Sequence, residues 1–469
     1  MLKRILNDKI VKSGMWYTVS NFFLHGINFL TIPIFTRLLS TSDYGLVALY
    51  KAWVTIFMVI ISLSLTESIR RAKYDYEANY DEFASSIAFL SLIIFLVYFI
   101  IFIIANNMIQ SITGLSKSLL YLMIFHAFFV YIREFAITKL RFEYKYKAVS
   151  IISVLSVVLG VILSVILIKH VFVKDAYLGK IIGDVFFIIL TGGFFLFYLL
   201  SKGKTFIKFD YWKYALSIST PLVIHNLSKI INDQFDRVII NKYLGQSATG
   251  IYSFSYSIGA IITVISISLG QAWEPWFFQK FNKNDIQIIK KRAEIYRDVF
   301  TLIYICVLMV STELVKIIAN ENYWGGISVI PWVFLGLYFQ FLYSFEVNVE
   351  FALKKTKLIS LGTIFAVLIN IVLNLLFIPT YGYIAAAITT AISYFVLFLL
   401  HYFLTSRIIG KKIYGLAFHL KSICYVMIAT IYFIIFQENI FIRFLAILIA
   451  VLLFYRSISP LLNKDENNE

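Results

Sequence analysis

Apolar runs of about twenty residues recur down the whole chain, and the connectors between them are basic at every second crossing. A helix rises 1.5 Å per residue, so a run of that length spans the ~30 Å hydrocarbon core of a bilayer. Lipid offers the backbone no hydrogen-bond partners, which leaves the helix as the form such runs can take. The sequence therefore reads as an all-α, polytopic membrane protein. With 60% hydrophobic and only 14% charged residues among 469, a soluble globule is excluded.

Spans are expected at about 14–39, 45–66, 83–106, 117–138, 148–169, 176–200, 214–240, 249–272, 298–319, 327–353, 358–379, 382–405, 413–436 and 439–456, about fourteen transmembrane helices. The last two are the least distinct, because Gln437, Glu438 and Asn439 leave a tight turn between them. No cleavable signal is expected, because the segment after Lys3, Arg4, Lys9 and Lys12 is far longer than a signal core. Alternate connectors collect most of the 42 Lys and Arg, for example Arg70, Arg71 and Lys73, then Lys139, Arg141, Lys145 and Lys147, then Lys354, Lys355 and Lys357. By the positive-inside rule both termini are cytoplasmic in a plasma (inner) membrane. The net charge of +16 is an orientation signal rather than a nucleic-acid footprint. Cys306 and Cys424 sit in apolar stretches and form no metal or disulfide framework.

A repeat runs through the chain at an offset of 205 residues. Leu39, Ser42 and Gly45 match Leu244, Ser247 and Gly250, and Asn21 matches Asn226; Tyr177-Leu178-Gly179 aligns with Tyr383-Ile384-Ala385 at 206. Six spans per repeat is an even number, so two lobes with the same orientation are expected, related by a pseudo-two-fold axis along the membrane normal. The domains are then an N-terminal lobe over 1–206, a second lobe over 207–410, and an extra helix pair with a tail over 411–469.

The stretch Thr31-Ile32-Pro33-Ile34-Phe35-Thr36-Arg37-Leu38-Leu39-Ser40-Thr41-Ser42-Asp43-Tyr44-Gly45 resembles the opening signature of bacterial polysaccharide-biosynthesis membrane proteins. These are the Wzx-like O-antigen and capsule repeat-unit flippases of the multidrug/oligosaccharidyl-lipid/polysaccharide exporter superfamily. Pro379-Thr380-Tyr381-Gly382-Tyr383-Ile384-Ala385-Ala386-Ala387 is similar to the turn entering that family's twelfth helix. The resemblance implies translocation of an undecaprenyl-pyrophosphate-linked glycan from the inner to the outer leaflet. Its implied partners are that lipid-linked glycan, the bilayer and polysaccharide polymerase machinery, with no nucleic acid.

An ionisable group at membrane depth is costly and belongs in a cavity or against a partner. His225, Lys229, Asn232, Asp233 and Asp236 recur at steps of three and four along one stripe of the seventh span, and Asn21, His25 and Asn28 form a milder stripe on its repeat equivalent. Two polar stripes on equivalent helices suit a shared aqueous cleft. The competing reading is self-neutralisation, since Lys229 and Asp233, and Asp233 and Arg237, are spaced i,i+4. Lys51 and Arg133 are further cationic candidates for a pyrophosphate, with snorkelling to headgroups as the alternative. Arg37 reads as an interface anchor. Asp233, Asp236, Glu346 and Glu350 are candidates for ion coupling, by H+ or Na+. For Glu346 and Glu350 an ion-pair cluster with Lys354 and Lys355 is the favoured alternative. Trp273 and Trp276 read as interface anchors, and the long connector over about 273–297, with its basic face, as lying on anionic lipid or forming a solvated cytosolic helix.

No HExxH, GxSxG, P-loop or paired-cysteine motif occurs, no outside connector could hold a catalytic domain, and no cofactor or metal is called for. A polysaccharide polymerase or ligase is disfavoured on that ground. A drug–cation antiporter would favour acidic cavity walls, whereas Lys51 and Lys229 suit an anion. A lipid II flippase of the same superfamily stands closest to the first reading.

Overall fold

The computed structural model describes residues 23, 26–27, 29–408 and 413–462, and every regular element among them is a helix. Among the described residues eleven helices are long and apolar enough to cross a membrane, and Phe29–Leu38 and Ile440–Tyr455 are shorter apolar helices. Asn21, His25 and Asn28 lie outside the described residues.

The first compact unit runs to Thr249. It contains α1 (Phe29–Leu38), α2 (Thr41–Ser62), the short amphipathic α3 (Thr66–Asp75), α4 (Tyr80–Ile104), α5 (Asn106–Thr113), α6 (Lys117–Phe142), α7 (Tyr146–His170), α8 (Ala176–Gly203) and the first arm of α9 (Phe209–Asn282). The start of α2 is set by a capping box in which Ser40 and Asp43 satisfy each other's backbone N–H groups. Small residues bring α8 hard against α7. A Cβ on Gly179 would lie 2.8 Å from the Ile168 amide nitrogen, and one on Gly183 would lie 2.6 Å from the Ser164 Cα. Backbones that approach so closely are how helices associate where lipid supplies no hydrophobic drive.

Helix α9 is two helices joined at Gly245, whose backbone (φ 83°, ψ −178°) is open in practice only to glycine. Its first arm packs on the first unit: Tyr214 donates to Asp75 at 2.5 Å, Trp212 Nε1 to the Ser86 carbonyl at 3.2 Å and Asn226 Nδ2 to Ser64 at 3.2 Å. These contacts explain why the units part at Thr249 and Gly250, one helix beyond the boundary drawn at 206/207 from the repeat. The turn at Gly245 meets its repeat partner at the start of α2. Thr41 Oγ1 lies 2.7 Å from Ser247 Oγ, and Ser42 Oγ donates to Gln246 Oε1 at 2.8 Å. Under the 205-residue offset these two bonds exchange into one another, which is the pattern of a local two-fold contact.

The second unit begins at Gly250 with the second arm of α9. It continues with α10 (Ile286–Ile318), α11 (Ile330–Ala352), α12 (Thr356–Tyr381), α13 (Tyr383–Phe403), α14 (Leu416–Ile435) and α15 (Ile440–Leu462). The connector over 273–297 is helical: α9 and α10 run into it from either side and turn at Lys283–Asp285, where Asn284 takes a positive φ of 59°. The final pair is two distinct helices pinned to α10. Arg443 donates to Glu313 Oε2 at 2.7 Å and to the Met309 carbonyl, and Arg297 donates to the Phe418 carbonyl at 2.7 Å. Arg297 and Lys421 share Asp298, at 2.6 and 3.2 Å.

Candidate functional site

In the first unit two lysines on apolar helices gather around one carboxylate. Asp184, on α8, receives Lys51 of α2 at 2.8 Å and Lys180 of its own helix at 2.6 Å. Lys180 is nearly buried and also lies 3.9 Å above the Phe35 ring, a cation–π contact. Lys51 keeps half of its side chain exposed. Two ammonium groups on one carboxylate leave the cluster with one surplus positive charge, presented by the accessible member. Its geometry follows from the close approach of α7 and α8, because Lys180 follows Gly179 and Asp184 follows Gly183 in the chain, while Ser164 Oγ on α7 bonds the Lys180 carbonyl at 3.3 Å. Arg133 of α6 is half-buried, and its Nε has no hydrogen-bond partner.

The stripe on α9 is borne by one helix, but its members differ in setting. Lys229 is exposed and makes no ion pair among the described residues, so the expected alternative pairing with Asp233 does not form. Arg237 instead donates to the Asp233 backbone carbonyl at 2.7 Å. His225 Nδ1 and Asn232 Oδ1 are buried without partners, and Asp236 is buried.

In the second unit Glu346 and Glu350 are buried and paired with histidines, correcting the favoured reading of an ion-pair cluster with lysines. His419 Nε2 lies 2.9 Å from Glu346, and His401 Nδ1 lies 2.8 Å from Glu350, while Lys354 and Lys355 are exposed beyond the helix end. Trp273 also departs from expectation. It is buried and stacks on Tyr296 at 4.9 Å with nearly parallel rings, where an interface anchor would face headgroups.

At the end of the first unit expected to face the cytosol, Lys139 is buried between Asp81, at 2.6 Å, and Glu143. Lys202 adds a bond to Asp81 at 2.9 Å and Lys145 one to Glu143 at 2.5 Å. Burial pushes the Glu143 carboxyl up, but Lys139 and Lys145 outweigh it and hold the group below its ordinary value. The Tyr214 hydroxyl and the Arg71 guanidinium likewise hold Asp75 low.

The polysaccharide biosynthesis protein family matches residues 10–281, more than half of the chain. The chain belongs to that family. The family member is 22% identical to the probable low-salt glycan biosynthesis flippase Agl15 of Haloferax volcanii, over 86% of this chain and 85% of that protein. Its fold is similar to that of the lipid II flippase MurJ in an inward closed conformation, with a TM-score of 0.74 at 17% identity over 95% and 99% of the two chains. An inward-facing multidrug resistance MATE family transporter of the MOP superfamily gives a TM-score of 0.61 at 17% identity, over 82% and 98%. The expected all-helical fold of that superfamily is therefore the one this polysaccharide biosynthesis protein adopts.

Sequence reasoning found Lys51 but not its companions. Lys180 and Asp184 are an i,i+4 pair inside an apolar run, a signal that was present in the sequence. His401 and His419 carried no such mark, since they reach their partners across 51 and 73 residues.

Proposed function

We propose that this protein is a flippase for a lipid-linked glycan. In the finer reading it carries an undecaprenyl-pyrophosphate-linked repeat unit of O-antigen, capsule or a similar polysaccharide from the cytoplasmic to the outer leaflet by alternating access. The observation that carries this is the Lys51–Asp184–Lys180 cluster. A surplus cation held at membrane depth with an accessible ammonium suits a pyrophosphate, whose desolvation it offsets. The polyprenyl tail stays in lipid while the glycan and pyrophosphate pass through the polar path. Lys229 and Arg133 are the further cationic groups along it, and His225 and Asn232 supply polar lining for the sugar. Moving negative charge outward down an inside-negative potential gains about 2.3 kcal/mol per charge per 100 mV. Ion exchange then resets the empty carrier.

Family membership and the similarity to a glycan biosynthesis flippase support the reading. The fold similarity to MurJ supports the second candidate, lipid II, which presents the same pyrophosphate to the same cluster. The test is Lys51→Ala in cells whose surface polysaccharide depends on this protein. Export should fall at least tenfold with protein abundance unchanged, and the undelivered lipid-linked glycan that builds up inside names the substrate. Unchanged export removes Lys51 from the path.

A further inference from the structure

Two buried carboxylates on α11 each end on a histidine from another helix, and among the described residues no lysine or arginine is paired with either. Glu346 and His419 are 2.9 Å apart, Glu350 and His401 2.8 Å apart, and all four side chains are buried. The pairs are joined by Thr405, whose hydroxyl meets both Glu346 and the His401 carbonyl, the latter at 2.9 Å. Thr405 belongs to the π-turn Leu404–Ile408 that follows α13, a backbone form that recurs at functional sites. Three polar atoms of the cluster are left without partners: Glu350 Oε2, His401 Nε2 and His419 Nδ1. Gly362 of α12 packs against the His401 ring, and a Cβ there would overlap Nε2.

We propose that the Glu346–His419 and Glu350–His401 pairs form a reversible proton-binding site, linked through Thr405. Among the described cations, Arg297 lies over the Phe418 ring and, like Lys421, is bound to Asp298, while Lys354, Lys355 and Arg407 are exposed. The other titratable groups facing the site are phenols, neutral at ordinary pH: Tyr343 against His401 at 4.9 Å, Tyr402 against His419 at 5.4 Å, and Tyr414, whose buried hydroxyl has no partner. With neutral histidines and ionised carboxylates the cluster therefore holds two negative charges away from water, and one proton per pair makes it neutral.

The hydrogen-bond geometry accommodates both states around Glu346. When Glu346 is ionised, His419 Nε2–H and the Thr405 hydroxyl both donate to it. When it is protonated on Oε2, it donates to Thr405, which turns its own proton to the His401 carbonyl. The π-turn thus feels the proton load, and His419 carries it to α14. A coupling role rests on the transport reading above; proton binding does not.

The test uses the full chain in nanodiscs under weak buffering. Between about pH 8 and pH 5, the range that brackets ordinary histidine titration, the wild type should bind about two more protons per chain than E346Q/E350Q. In ¹⁵N NMR of the wild type, two histidine signals should shift over the same range, one lost in H401Q and the other in H419Q. These signals keep the test open if the double variant folds poorly. In liposomes, acceleration of flipping by a pH gradient, present in the wild type, should be lost in E346Q/E350Q. Equal proton counts with unshifted histidine signals would overturn the site. Proton binding with gradient-insensitive wild-type flipping would overturn the coupling. A wild type that flips no lipid-linked glycan under any gradient would overturn only the transport reading, and the proton count would still decide the site.

Discussion

At the scale of single residues, the two partners of Asp184 are not equivalent. Removing Lys51 leaves Asp184 paired with Lys180, so Lys51→Ala should change the thermal unfolding midpoint in detergent little while abolishing transport. Asp184→Asn leaves nearly buried Lys180 and Lys51 facing each other without a counter-ion. Stranding a buried charge in this way costs about 3–5 kcal/mol, so this variant should unfold at clearly lower temperature. Equal midpoints for the two would show that the carboxylate is not what holds the cluster. Glu143 supplies a pH-dependent counterpart. Its carboxyl sits below the ordinary value when folded, so its stabilisation is present above the unfolded pKa of about 4.3 and is lost as pH falls through the lower folded value. Wild type should therefore lose more stability than Glu143→Gln on acidification below about pH 4. Parallel pH profiles for the two would contradict that assignment.

At the scale of elements, the path from sequence to site runs through the contact of α7 with α8. Gly183 sits where a side chain would strike Ser164, and its neighbour Asp184 is aimed at Lys51 by that contact. Gly183→Ala should force the helices apart at a cost of about 1–3 kcal/mol and lower transport, whereas Gly193→Ala, with nothing closer than 4.0 Å to the added Cβ, should be tolerated. Similar losses for both, read as unfolding midpoint and export, would dismiss the packing argument. The same elements show what the sequence makes legible. Hydropathy located the helices, because each apolar run must satisfy its own backbone in lipid. The repeat marked the turns at Ser42 and Ser247, whose neighbourhoods bond each other. The partners of Lys51, Glu346 and Glu350 were hidden, since which helix faces which is decided by packing of small residues that leaves no local period. The connector over 273–297 is helical on both sides of a single turn at Lys283–Asp285, so the two flanking spans extend into it rather than ending at its edges.

At the scale of the whole molecule, an all-helical chain of the polysaccharide biosynthesis protein family holds two kinds of charged site. One, in the first unit, presents a surplus cation at Lys51; the other, in the second unit, buries carboxylates against histidines. The proposed anion and proton sites together fit a carrier whose anionic cargo is helped outward by the membrane potential. The most direct measurement is leaflet transfer of an undecaprenyl-pyrophosphate-linked glycan by the purified protein in liposomes, read by access of an external lectin, with and without an inside-negative potential. The account predicts transfer that the potential accelerates and that Lys51→Ala reduces at least tenfold. Transfer by Lys51→Ala at the wild-type rate, or no transfer by the wild type, would contradict it.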